Sequence, residues 1–238
     1  MKESSIKAVT FTNKGYIEYT HNLLLSIENN DTQTDLEIFT LDDDSSSYFK
    51  NIHNNVTSFK SSFIDSREKI WKQNDSDFGK LMMAKFEIIY ESLKKHEKVL
   101  YIDGDIKIKK NFNEALDYAL KENDIIFQND KRPSKPNEIK LCAGFMLIKS
   151  NKKTQKFFNP KNVPFEKILN YKAHDQTHIN KSKNKFKYKM LPLHLFPNGP
   201  YFYENAKNID PFMIHFNFLI GHDKKEKMKM FGEWYLND

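Results

Sequence analysis

Val99-Leu-Tyr-Ile102 is an uninterrupted apolar run of strand formers that stops at Asp103-Gly-Asp105. A run this short, without polar alternation, suits a strand covered on both faces, as in the middle of a parallel sheet. The preceding segment supports this. Phe78, Leu81, Met82, Phe86, Ile89 and Leu93 recur at three- and four-residue steps between Asp77 and Lys95, which predicts an amphipathic helix. A helix leading straight into a buried strand is the crossover that parallel strands need.

The rest of the chain keeps this alternation. Residues 6–12 read as a first strand, 13–16 as a turn and 17–28 as a helix. Strand, tight loop and helix open an α/β nucleotide-binding unit, although G-x-G-x-x-G and the G-x-x-x-x-G-K-[ST] phosphate loop are both absent. Residues 35–41 read as a second strand, and Asp42-Asp-Asp44-Ser45 as a turn or helix N-cap. Residues 56–75 look irregular or edge-like. A short helix over 112–120, strands over 124–128, 141–148 and 212–216, and loops over 129–139 and 192–200 complete the pattern. The expected fold is one α/β domain over 1–238, with a mostly parallel central sheet flanked by helices. Its two halves are residues 1–110 and 111–238.

Composition narrows the function. At 39% hydrophobic and 14% aromatic, the chain is too apolar for disorder. Its one cysteine, Cys142, excludes an internal disulfide and a multi-cysteine zinc site. No apolar run approaches the ~20 residues that span a bilayer, and Met1–Lys7 does not resemble a secretory signal. A cytoplasmic protein, soluble or peripheral to a membrane, is the expectation. The net charge of +6 suits anionic partners, but the lysine-rich 181–189 and 224–229 stretches read as solvated faces with no nucleic-acid module.

Asp103 and Asp105 point the same way from a strand end, so both can hold one divalent cation, and Gly104 between them leaves room for a ligand. The rival is a hairpin, because Asp-Gly between apolar runs is also a two-residue turn signal. An EF-hand fails, since Lys107 and Ile108 offer no ligands of the required kind. His174-Asp-Gln-Thr-His178 mimics the H-E-x-x-H zinc motif, but with Asp for Glu and no third ligand by spacing. His215, in the apolar run 212–216, reads as either a satisfied core histidine or a ligand.

In order, these motifs resemble the GT-A-fold glycosyltransferases, close to the retaining glycogenin and galactosyltransferase type and to the nucleotide-diphospho-sugar transferase group. The resemblance spans nearly the whole chain and implies a nucleotide-binding half over 1–110 and an acceptor and sugar half over 111–238. Val-Leu-Tyr-Ile-Asp103-Gly104-Asp105 is similar to the family's D-x-D strand end. Val-Thr-Phe-Thr12-Asn13-Lys-Gly-Tyr16 is similar to its first nucleotide loop, where an aromatic stacks on the base. Lys85 matches a basic residue on the helix before the D-x-D strand, and Cys142-Ala143-Gly144 the small-residue strand lining the sugar pocket. Asp175-Gln176, with Asn180 after it, matches the D-Q motif beside the transferred sugar. His215 with Gly221…Lys224 matches the C-terminal metal-ligand histidine and phosphate-binding Gly-x-x-Lys. Three positions depart from the pattern: Cys142 where Asn is usual, Asn13 for a frequent Asp, and Lys85 where Arg is common.

The resemblance implies a transferase that moves a sugar from a nucleoside-diphosphate donor to a glycan, lipid-linked or protein hydroxyl, with retention. UDP-sugars are favoured over GDP-sugars, and no nucleic-acid partner is expected. Asp103, Asp105 and His215 would hold Mn²⁺ or Mg²⁺, the imidazole favouring Mn²⁺. Thr12, Asn13, Tyr16, Lys85, Gly104, Ala143, Gly144, Gly221 and Lys224 would bind the donor, with Asp175 and Gln176 at the anomeric carbon. Two alternatives are a nucleotidyltransferase on a related fold, which usually carries a glycine-rich N-terminal loop missing here, and a non-catalytic protein that binds nucleic acid or membranes through its basic face.

Overall fold

The computed structural model describes residues 6–30, 33–64, 76–164 and 175–237. The side chain of Phe78, the whole of His174 and residues 65–75 of the irregular stretch lie outside them. Within the described residues the chain is a single α/β domain built on a seven-stranded sheet. Its strands are β1 (Lys7–Thr12), β2 (Asp35–Thr40), β3 (Val56–Ser58), β4 (Lys98–Ile102), β6 (Ile125–Asn129), β7 (Leu141–Lys149) and β8 (Tyr188–Met190). They lie in the order β3-β2-β1-β4-β7-β6-β8. β1 pairs parallel with β2 and β4, β2 with β3, and β6 with β8, while β7 runs antiparallel to both neighbours. The seam between β4 and β7 joins the two halves of the chain in one sheet.

The helices are α1 (Ile17–Asn29), α2 (Asp43–Lys50), α3 (Ser76–Lys95), α4 (Asn113–Leu120), α5 (Lys152–Phe158), α6 (Asp175–Ser182), α7 (Gly199–Asn205) and α8 (Gly221–Met230). α3 buries Leu81, Met82, Phe86, Ile89 and Leu93, the stripe expected from its periodicity. The two faces of the sheet carry separate cores, one with Phe86, Tyr101 and Met146, the other with Leu23, Leu100 and Phe145. Adjacent strand residues face opposite sides, which accounts for the split of Leu100 from Tyr101.

Local chemistry explains several element boundaries. Asp42 caps α2, accepting from the Ser45 amide at 2.8 Å, and also accepts from the Lys14 amide at 2.6 Å, tying the loop after β1 to this cap. β3 is an edge strand within the stretch read as irregular or edge-like. The 192–200 stretch ends in α7, capped by Asn198, which accepts from the Tyr201 amide at 3.0 Å. The lysine-rich 181–189 run contains the end of α6 and the start of β8, so it is more ordered than a bare solvated face.

β5 (Ile106–Ile108) decides the hairpin question. It pairs antiparallel with β9 (Met213–His215) in a separate two-stranded sheet, not with β4. Asp103-Gly-Asp105 is therefore the hinge between two sheets.

Candidate active site

The hinge sets the site. β1 and β4 are parallel neighbours, so Thr12-Asn13 and Asp103 emerge side by side at the carboxyl edge of the sheet. Open α/β sheets bind ligands at this edge. Pairing of Ile106 with His215 in the small sheet carries Asp105 to the histidine, 110 positions away in the chain, and the Phe216 amide donates to the Asp105 carbonyl at 3.1 Å. One potential ligand atom from each of Asp103, Asp105 and His215 lies within 4.8 Å of the others.

The surroundings of His215 test whether this cluster suits a cation. Gln128 donates its amide hydrogens to the carbonyls of Pro197 and Phe196, at 2.8 and 3.3 Å. Its oxygen must then face His215 Nδ1, 2.7 Å away. A carboxamide oxygen only accepts, so Nδ1 carries a hydrogen. In the neutral ring Nε2 would aim a lone pair at Asp105 Oδ1, 3.3 Å away. Only a proton or a metal cation relieves that opposition, so the residues fit a divalent ion. Without one the ring holds a proton: burial opposes its charge, but the Asp105 carboxylate outweighs burial and raises the pKa well above the ordinary 6.5.

Lysines complete the electrostatics. Lys224, in the run read as a solvated face, is buried and forms a salt bridge with Asp105, while also donating to the Tyr16 hydroxyl at 3.0 Å. Burial would push the Asp105 carboxyl up, but Lys224 and His215 hold it far below the usual carboxylate range. Lys85 points inward from α3 and is 3% exposed. Its ammonium lies 3.2 Å from Asp103 Oδ1 and 2.8 Å from Asp175 Oδ2. Burial disfavours that charge, yet the two carboxylates raise its pKa above the ordinary lysine value.

Gly144 stands where the space closes. A Cβ there would meet Asp103 Oδ2 at 2.4 Å and His215 Cε1 at 2.5 Å, and the Gly144 carbonyl accepts from the Asp103 amide at 2.7 Å. A Cβ on Gly104 would meet Thr20 Oγ1 at 2.7 Å and the Tyr16 ring at 3.2 Å. The cleft above measures about 530 Å³ and is lined by Thr12, Asn13, Tyr16, Lys85, Asp103, Gly104, Asp105, Ala143, Gly144, Asp175, Gln176, His215 and Lys224, among others. Of the expected site residues, only Gly221 is not on this wall. It opens α8 at φ +52, and its carbonyl accepts from the Tyr19 hydroxyl at 2.8 Å. Asn180 turns to β7 instead, where its amide bonds both the Leu141 amide and carbonyl at 2.9 Å.

Gln176 spends both ends of its amide on the protein. Its oxygen accepts from the Ala143 amide at 3.1 Å and its nitrogen donates to Asp130 at 2.9 Å. Among the described residues His178 joins no cluster of metal-ligating groups, and its ring stacks on Phe157 with centroids 5.1 Å apart. Tyr101, Gln128 and Asp130 were not read from sequence as site residues. Tyr101 donates to Asp103 Oδ1 at 2.6 Å, and its two-residue offset from Asp103 was the available signal. Gln128 and Asp130 carried no comparable signal, since they stand in the polar stretch Gln128-Asn-Asp130 where an apolar run ends.

Comparison with known proteins agrees with this geometry. The family model described as nucleotide-diphospho-sugar transferase matches residues 32–231. A UDP-galactose:fucoside alpha-3-galactosyltransferase of Dictyostelium discoideum is 28% identical, over 98% of this chain and 43% of its own length. The chain thus spans less than half of that relative. Among solved structures, the glycosyltransferase GlyE of Streptococcus pneumoniae TIGR4 matches with a TM-score of 0.62 at 19% identity, covering 98% of this chain and 61% of that one. The galactosyltransferase LgtC, solved with donor and acceptor sugar analogs, matches at 0.60 and 14% identity, over 98% and 97%. At such identities these structures establish a shared GT-A fold. With the family model covering most of the chain and its D-x-D strand end built into the cleft floor, the chain belongs to the nucleotide-diphospho-sugar transferase family.

Proposed function

We propose that this chain transfers a sugar, with retention, from a UDP-sugar to a hydroxyl acceptor, using Mn²⁺ held by Asp103, Asp105 and His215. The observation that carries the reading is the convergence of these three groups at the carboxyl edge of the parallel strands. When bound, the cation would neutralise charge developing on the departing diphosphate. Imidazole beside two carboxylates favours Mn²⁺ over Mg²⁺.

The chain's own groups do the rest. Thr12 and Asn13 border the nucleotide, and the Tyr16 ring offers a stacking face for the base. Lys224, pinned by Asp105 and Tyr16, supplies a fixed positive charge to the diphosphate. Ala143 and Gly144 let the sugar approach the strand closely. Lys85 holds Asp103 and Asp175 at a fixed separation. Asp175 faces the anomeric carbon and stabilises positive charge there, and Gln176, immobilised between Ala143 and Asp130, positions the sugar. The bond from the anomeric carbon to the phosphate oxygen breaks, a bond to the acceptor oxygen forms, and the acceptor proton passes to the departing diphosphate.

UDP-galactose and a fucoside are the first donor and acceptor to try, from the name of the Dictyostelium relative. The test is nucleotide release from a panel of UDP- and GDP-sugars, with and without Mn²⁺, and product anomer by NMR. The reading expects metal-dependent UDP release and a retained anomer. Release of pyrophosphate, or no release with any donor, would overturn it.

A further inference from the structure

The cleft mouth carries a cation that the donor chemistry does not use. The chain has 38 basic residues, and only Arg67 and Arg132 are arginine. Arg132 lines the cleft, and no carboxylate pairs with it among the described residues. Its guanidinium lies 4.9 Å from the centre of the Phe218 ring, and the Lys140 ammonium lies 4.9 Å from the same ring. Lys140 is answered by Asp130 at 2.9 Å, so Arg132 is the cation left open to a ligand.

Phe218 is held in place against its backbone preference. Its φ is +66, the left-handed region, which no other non-glycine among the described residues adopts. A bulky residue rarely takes this conformation, and such strain persists where the surroundings fix it, often at ligand sites. Here the surroundings are visible. The neighbouring Asn217 donates to Asp130 at 2.8 Å and accepts from the Gly199 amide at 2.9 Å. Asp130, 2% exposed, is the same carboxylate that receives Gln176. One buried group therefore ties the residue next to Phe218 to Gln176, the residue read above as positioning the transferred sugar.

We propose that Phe218 and Arg132 form an acceptor subsite for a sugar bearing an oxyanion, either a carboxylate or a phosphate. The ring covers the apolar face of the sugar, and the guanidinium takes the oxyanion through two parallel hydrogen bonds. This assignment rests on the transferase reading above for the word acceptor, but the anion site itself does not.

The test has two parts on the full chain. NMR titrations compare methyl glucoside, methyl glucuronide and methyl glucoside 6-phosphate. Wild type should bind at least one charged form on the order of tenfold more tightly than the neutral one, with the preference weakening in salt. Arg132→Ala should bring the ratio close to one, and Arg132→Lys should keep part of it. The two charged arms identify which oxyanion is taken. Equal binding of all three, or an unchanged preference in Arg132→Ala, overturns the subsite. The second part measures the ratio of kcat/KM for charged and neutral acceptors once a donor is known. If transfer proceeds without charge preference, the subsite fails and the transferase reading stands. If no donor turns over but the NMR preference holds, the anion site stands and the transferase reading fails. A preference that follows UDP-glucuronate over UDP-glucose as donor, rather than the acceptor, overturns the acceptor assignment.

Discussion

Replacing Gly144 with alanine is the most local perturbation of the proposed cation site. The new methyl would lie 2.4 Å from Asp103 Oδ2 and 2.5 Å from His215 Cε1. Neither neighbour can yield freely. The other oxygen of Asp103 is held by Tyr101 at 2.6 Å and Lys85 at 3.2 Å, and His215 is held by Gln128 at 2.7 Å. The backbone cannot retreat either, since Phe145 is paired with Ile102 in the sheet. Overpacking of this kind costs about 1–3 kcal/mol. In a domain of this size that lowers Tm by about 2–4 °C per kcal/mol. Spreading of the ligand atoms should weaken Mn²⁺ binding by about 10- to 100-fold, as for disturbed supporting residues in metal sites generally. Calorimetric Mn²⁺ titration alongside a melting curve reads both effects. Gly104→Ala is the control, because its methyl meets Thr20 and the Tyr16 ring rather than a ligand. It should impair nucleotide binding while leaving Mn²⁺ affinity within a few-fold. Unchanged Mn²⁺ affinity in folded Gly144→Ala, or an equal loss in Gly104→Ala, would refute the reasoning.

Three further outcomes are expected. Lys85→Met strands the buried carboxylate of Asp175, beside the half-buried Asp103, and should cost about 3–5 kcal/mol in denaturant unfolding, part of which the double variant with Asp175→Asn recovers. His215 has a folded pKa raised above the ordinary 6.5, so its imidazolium contributes stability in full below about that pH and loses it as pH rises through the folded value. Metal-free Tm should therefore fall over that window while Mn²⁺ affinity rises, and His215→Gln should flatten both. Lys107 behaves the opposite way. It is fully buried against the Tyr235 ring with no hydrogen-bond partner for Nζ among the described residues, and burial pushes its pKa down to about 7 from 10.5. The unfolded chain then binds the extra proton between those values, so stability should rise with pH there, and Lys107→Met should raise Tm at pH 7 and remove the slope.

Much of the parallel half of the sheet was legible, because β1, β2 and β4 are short runs rich in strand formers and the helix before β4 is strongly periodic, whereas the three-residue β3 fell in a stretch that reads only as irregular or edge-like. Asp103 and Asp105 were legible as a pair, since a two-residue offset at a strand end is a local property. What decided between a cation site and a hairpin was not local: β5 pairs with β9, and only that pairing brings His215 to Asp105. Lysine burial was hidden for the same reason. Lys224 sits in a run that reads as solvated, and its partner Asp105 lies 119 residues away, a pairing that no spacing along the chain reports. Gln128 and Asp130 act through partners about 45 to 90 residues away. The family resemblance supplied the order of motifs, while the coupling between them came from the structure.

The central claim is that Asp103, Asp105 and His215 hold a divalent cation that carries the donor diphosphate. Calorimetric titration of UDP into the full chain, in EDTA and again in Mn²⁺, tests it directly. The account predicts binding at least about tenfold tighter with Mn²⁺, and loss of that gain in Asp103→Asn that retains its circular dichroism spectrum. Equal UDP affinity in EDTA, or a metal effect that survives in Asp103→Asn, would contradict it.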